Sequence, residues 1–61
     1  MRRLPTDVAT VYIYAGHGGF RYTCRGADGK VVYDSERSYG SRRKARTDVE
    51  RYWPNAKVIY G

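Results

Sequence analysis

Residues 10–35 read TVYIYAGHGGFRYTCRGADGKVVYDS, and the punctuation of this stretch decides the fold. Its opening segment, Thr10 to Gly16, is rich in β-branched and aromatic residues, the composition of a strand. His17-Gly18-Gly19 follows, and paired glycines accept positive φ at no steric cost, so the segment reads as a tight turn. In the next segment Phe20, Tyr22 and Cys24 alternate with Arg21, Thr23 and Arg25. A period of two predicts a strand with one buried face. Asp28-Gly29 is among the strongest short-range hairpin signals, and Lys30 to Ser35 supplies a third strand. Three strands joined by two short turns predict an antiparallel meander.

A helix follows over GSRRKARTDVERYW, residues 40–53. Ser41 is placed to cap it, because its hydroxyl can accept a backbone N–H two or three residues on. Ala45, Val49, Tyr52 and Trp53 recur at helical spacing and form one apolar stripe. Pro54 ends the helix, since the residue before a proline avoids the α region. Ala56 to Gly61 is short and β-prone and reads as a fourth strand. The predicted fold is α+β, in the order β-β-β-α-β: an antiparallel sheet of three to four strands with one helix packed on one face. The stripe is expected against Phe20, Tyr22 and Val31. Residues 1–7, with Pro5, read as a flexible N-terminal arm, and residues 8–61 as a single small domain.

The chain has 61 residues, 12 Lys and Arg against six Asp and Glu, and a formal charge of +6. A domain this short buries only about 60% of its unfolded surface, so its core is small. Cys24 is its only cysteine and His17 its only histidine. Neither an internal disulfide nor a four-ligand structural zinc site can be built from them. Aromatic packing and pairing with a second copy remain as sources of stability, and seven tyrosines serve both. No apolar run approaches the ~20 residues of a membrane span, and no signal-peptide pattern follows the basic start. A cytoplasmic protein with no membrane partner and no cofactor is expected.

The order of elements resembles the YegP-like family of small bacterial and archaeal domains of unknown function. Phe20, Tyr22, Asp28-Gly29-Lys30, Val32, Ser35-Glu36, Tyr39, Ser41, Ala45 and Val49 carry the likeness over roughly residues 11–60. One extra residue stands between Glu36 and Tyr39. The family carries this unit twice or as paired chains, so the resemblance implies a homodimer; it offers no catalytic residues. A weaker likeness is to the three-stranded DNA-binding sheets of plant-type transcription-factor domains and of phage integrase arm-binding domains, which lack the terminal strand.

The residue types speak against catalysis. Cys24 falls on the predicted core face, where a thiol acts as a small hydrophobe, and His17 sits in a turn. Asp34 and Glu36 share a strand face by parity but lie at a strand end. Gly16 to Gly19 joins two strands and opens no helix, so it is no phosphate loop. The chain reads as a non-enzyme. Its informative feature is the basic run of Arg37, Arg42, Arg43, Lys44 and Arg46, uninterrupted by an acid. Cations at a helix start face the positive end of its dipole, at ~0.3–1 kcal/mol each. Three readings compete: i,i+4 pairing of Lys44 with Asp48 and Arg46 with Glu50, plain tolerance in solvent, or a site for an anion in which Ser41 takes part.

Arg21 and Arg25 fall on the sheet face opposite Phe20, and Tyr12 and Tyr14 join them if Val11 and Ile13 point inward. Arginine among aromatics is the composition of a nucleic-acid surface and equally of a protein interface. Tyr12 and Tyr14 are assigned to the interface. The functional expectation is a non-enzymatic module that contacts DNA or RNA through phosphates. The alternative is a homodimeric interaction module, of a kind phages and mobile elements encode, that docks an acidic partner protein.

Overall fold

A computed structural model describes residues 4–35 and 37–61. The elements are β1 (Thr10–Gly16), β2 (Gly19–Arg25), β3 (Val31–Asp34), α1 (Arg42–Tyr52) and β4 (Lys57–Tyr60). The strands form one sheet, ordered β3-β2-β1-β4, and the helix packs on one of its faces. The fold is α+β, as its sequence predicts.

The sheet is antiparallel through β1, β2 and β3. It departs from the expected pattern at β4, which runs parallel to β1, with Thr10 opposite Lys57 and Ile13 opposite Tyr60. The cause is topological. A helix laid on the sheet carries the chain back along the strands, so the strand after it repeats the direction of the strand before it. β3 is two antiparallel steps from β1 and shares its direction; β4 inherits it.

Turn chemistry fixes the registers. Gly19 adopts φ 139°, and a Cβ there would collide with the carbonyl oxygen of Tyr39. That close approach exists because Phe20 and Tyr39 exchange both backbone hydrogen bonds at 2.8 Å. In the second turn the Gly29 amide donates to the Gly26 carbonyl at 2.9 Å, and Gly29 takes φ 82°. The Asp28 carboxylate accepts from the Lys30 amide at 3.0 Å. The free edge of β2 is closed beyond β3 as well. Ser35 is buried, and its hydroxyl accepts from the Tyr22 amide at 3.0 Å while its own amide donates to the Tyr22 carbonyl at 2.9 Å.

The core is Val11 and Ile13 from β1, Tyr22 and Cys24 from β2, and Ala45, Val49 and Trp53 from the helix and its end. Three predicted members are displaced. Phe20 lies outside the core cluster, under the Arg42 guanidinium. Val31 is half exposed because the β2–β3 register shifts between Cys24 and Arg25, so it pairs with Arg25 while Tyr33 pairs with Cys24 and packs on the core. Tyr52 lies on the flank of the stripe and is also about half exposed; its ring meets Trp53 edge-on at 5.7 Å. The helix ends at Tyr52, one residue before the pre-proline position, and Trp53 leaves the α region at φ −137°, ψ 69°. Its indole N–H donates to the Pro5 carbonyl at 2.6 Å, and Leu4 packs against the core. Both interactions attach the described end of the expected arm, residues 4–7, to the domain.

Candidate nucleic-acid interface

The helix start is built as its sequence requires. Ser41 is extended at φ −153°, ψ 161°, and its hydroxyl accepts from the Lys44 amide at 3.2 Å. Ser41 is therefore occupied in capping and takes up one of the amides an anion would otherwise meet. No acid stands in the first turn.

The cations of residues 37–46 do not converge on one point; they divide into three directions. Arg37 turns toward the β3 side. Its guanidinium lies over the Tyr39 ring, 5.7 Å from the centroid, and 4.0 Å from the Asp48 carboxylate. Tyr39 donates its hydroxyl to the same carboxylate at 2.6 Å. Asp48 is thereby engaged by Tyr39 and Arg37, and the expected Lys44–Asp48 pair is not formed. Lys44 instead folds back beside Gly40. Arg42, Arg43 and Arg46 gather with Tyr60 around a shallow, open depression.

Two members of that group are held from below. Arg42 lies over the Phe20 ring at 5.3 Å, and Arg46 over the Tyr60 ring at 6.0 Å. Arg46 also donates to the Tyr60 hydroxyl at 3.0 Å and to Glu50 at 2.7 Å, the i,i+4 pair its sequence predicts. Among the described residues no acid pairs with Arg42, Arg43 or Lys44. Phe20 and Tyr60 are the site residues that sequence reasoning missed. Their signal was parity: Phe20 precedes the core residue Tyr22 by two, and Tyr60 follows Val58 by two.

Arg21 and Arg25 lie on the opposite face of the sheet, away from the helix, together with Tyr12 and Tyr14. Register fixes this, because Tyr14 pairs with Arg21, Tyr12 with Thr23 and Thr10 with Arg25. The fold does not bring them to the helix-start group. Arg21 donates to the Ser38 hydroxyl at 3.3 Å and Arg25 to the Gly29 carbonyl at 3.0 Å.

On the helix side, Tyr22, Tyr33, Tyr39 and Tyr52 line a half-open cleft with Asp48 and Arg37. Burial drives the Tyr22 hydroxyl well above its ordinary range, and the Tyr39 hydroxyl rises for the same reason. Both stay protonated and act as donors, which suits packing and positioning rather than proton transfer. The Cys24 thiol is pushed up to about 12 by burial, with the Asp34 charge adding to it. A thiol held protonated is a poor nucleophile, and His17 lies exposed in the first turn. Asp34 accepts from Thr23 at 2.7 Å, while Glu36, its expected partner by parity, lies outside the described residues.

No known protein family, curated protein or solved structure matches the chain. The YegP-like resemblance has no support from these comparisons, and no family is assigned.

Proposed function

We propose that this chain is a small non-enzymatic module that binds nucleic acid through phosphates. The observation that carries the reading is the group of Arg42, Arg43 and Arg46 around Tyr60, at a helix start without an acid in its first turn. A helix start already favours anions through its free amides and its dipole. Arg42 and Arg43, which pair with no acid among the described residues, raise the local potential, while Arg46 is paired with Glu50; each guanidinium keeps several N–H donors for phosphate oxygens. The chain's formal charge of +6 acts in the same direction at longer range. Binding of this kind tolerates any sequence and weakens steeply with salt.

The test is a salt titration of the affinity for a random duplex and a random single strand, followed by fluorescence anisotropy. Wild-type protein binds with a steep negative slope. The triple variant Arg42→Gln, Arg43→Gln, Lys44→Gln binds more weakly, and its slope on duplex falls by up to about 0.9 for each phosphate it no longer neutralises. Its thermal stability is equal or higher, since each exposed cation removed from a helix start relieves ~0.3–1 kcal/mol, against which Arg42 forfeits ~0.5–1 kcal/mol over Phe20. Affinity that ignores salt, or a variant that melts earlier yet binds as before, rejects the reading.

A second reading rests on the other face. Tyr12 is 41% exposed there, beside Ile59, with one side of its ring against Gly61 and the rest open. A homodimeric interaction module that docks an acidic protein uses this face as its seam. Sedimentation velocity separates the two readings: a dimer that Tyr12 substitutions dissolve supports the second.

A further inference from the structure

The uncovered sheet face is a grid whose rows are set by strand register. One row reads Lys57, Thr10, Arg25, Val31; the next Ile59, Tyr12, Thr23, Asp34; the third Tyr14, Arg21. Aromatic rings occupy the β1 column and guanidiniums the β2 column. Tyr12 and Tyr14 are two residues apart on one strand, so their Cα atoms stand about 7 Å apart, the reach of one nucleotide in a stretched strand. The arginines are already placed. The Arg21 stem lies over Gly16 beside the Tyr14 ring, and each guanidinium directs one donor to a protein oxygen and keeps the others.

We infer that a single-stranded nucleic acid lies across this face, two successive bases stacking on Tyr12 and Tyr14 while Arg21 and Arg25 take the phosphates. The inference rests on the nucleic-acid reading above and adds to it a second surface and the strandedness of the ligand. Stacking demands a base whose face is free, which a duplex does not offer, and it tolerates every base. Charge decides between a strand and a second copy. Among the described strand residues the face carries Lys57, Arg21 and Arg25 against the one acid Asp34. A twofold contact sets the same patch against itself, so it would bring those cations together, whereas a polyanion neutralises them. Asp34 is at the β3 edge, away from the tyrosine column, and is engaged by Thr23.

The experiment compares a labelled 12-mer single strand with the 12-base-pair duplex at low salt, using full-length protein. Wild type binds the single strand more tightly. Tyr12→Thr with Tyr14→Thr keeps strand-forming residues and loses roughly tenfold or more of single-strand affinity per ring, with little change on duplex. Photocrosslinking of a bromouracil-substituted strand to wild-type protein maps to Tyr12 or Tyr14, which keeps the test independent of how the variants fold. Undiminished single-strand binding by the variant, crosslinks confined to the Arg42 side, or a dimer that buries this face overturns the inference and leaves the phosphate reading standing. If neither the single strand nor the duplex binds, both fall together.

Discussion

At the scale of single residues, the chemistry is governed by what burial does to polar groups. Cys24 is wholly buried, and its thiol is pushed up from 9.0 to about 12, first by desolvation and then by Asp34. The folded chain therefore holds this proton more tightly than the unfolded chain. Its contribution to stability is fully present below pH 9, where both states are protonated, and is lost as pH rises toward 12. Urea melts at pH 8 and pH 10 should differ by about 1 kcal/mol from this group, falling with pH, because each pKa unit is worth about 1.4 kcal/mol. Tyr22 acts with the same sign above its own ordinary value of 10.0. Cys24→Ala removes the thiol's share of the pH dependence and leaves the tyrosine share. An identical pH dependence in wild type and variant would show that the thiol does not titrate between the two states.

At the scale of elements, local signals are legible in the sequence and partnerships are not. Alternation announces β1 and β2, Asp28-Gly29 announces the second turn, and Ser41 with Pro54 bounds the helix; each is a property of neighbours in sequence. Parity puts Val31 on the wrong face because it counts through a register shift that only the pairing of β2 with β3 reveals. Helical spacing offers Asp48 to Lys44, four residues back. The carboxylate is claimed by Tyr39, which reaches it from the loop before the helix after its backbone bridge to Phe20 fixes it there. The basic run reads as one cluster because its members are adjacent in sequence, whereas the helix turns them to different sides and β2 sends Arg21 and Arg25 to the far face. The Tyr39–Asp48 bond ties the loop to the helix and lies apart from the Arg42 group. Tyr39→Phe should cost about 1.5 kcal/mol, the lower end for a hydrogen bond to a charged group because this one is only part-buried, and lower the melting temperature by roughly 6–12 °C in a domain of this size. Nucleic-acid affinity should be unchanged, and a parallel fall would move the binding surface to this side of the helix.

At the scale of the whole molecule, a small core makes every large side chain count. The chain's 61 residues imply a total stability of about 3–9 kcal/mol at typical values per residue. Ile13 is fully buried where β1 lies under the helix, and truncating such a side chain costs ~2–5 kcal/mol through lost transfer and a residual cavity. Ile13→Ala should therefore lower the urea midpoint by at least about a fifth and by about half at mid-range values, and a smaller shift would mean that the domain draws its stability from elsewhere, as a tight dimer does. The same smallness explains the sheet's two unlike faces. One helix can cover only one of them, and the uncovered face is left to residues that water tolerates and a ligand can use.

The parallel seating of β4 carries a kinetic consequence. β1 is made early, yet the strand that completes its outer edge arrives last and must be delivered across the sheet by the helix. Until then the nascent meander displays a row of unsatisfied amides and carbonyls along the open edge of β1, the kind of template on which chains stick to one another. Closing that edge orders a long loop before its compensating interactions form, which slows the final step. Refolding yield should accordingly fall with protein concentration well before native affinity or stability is affected.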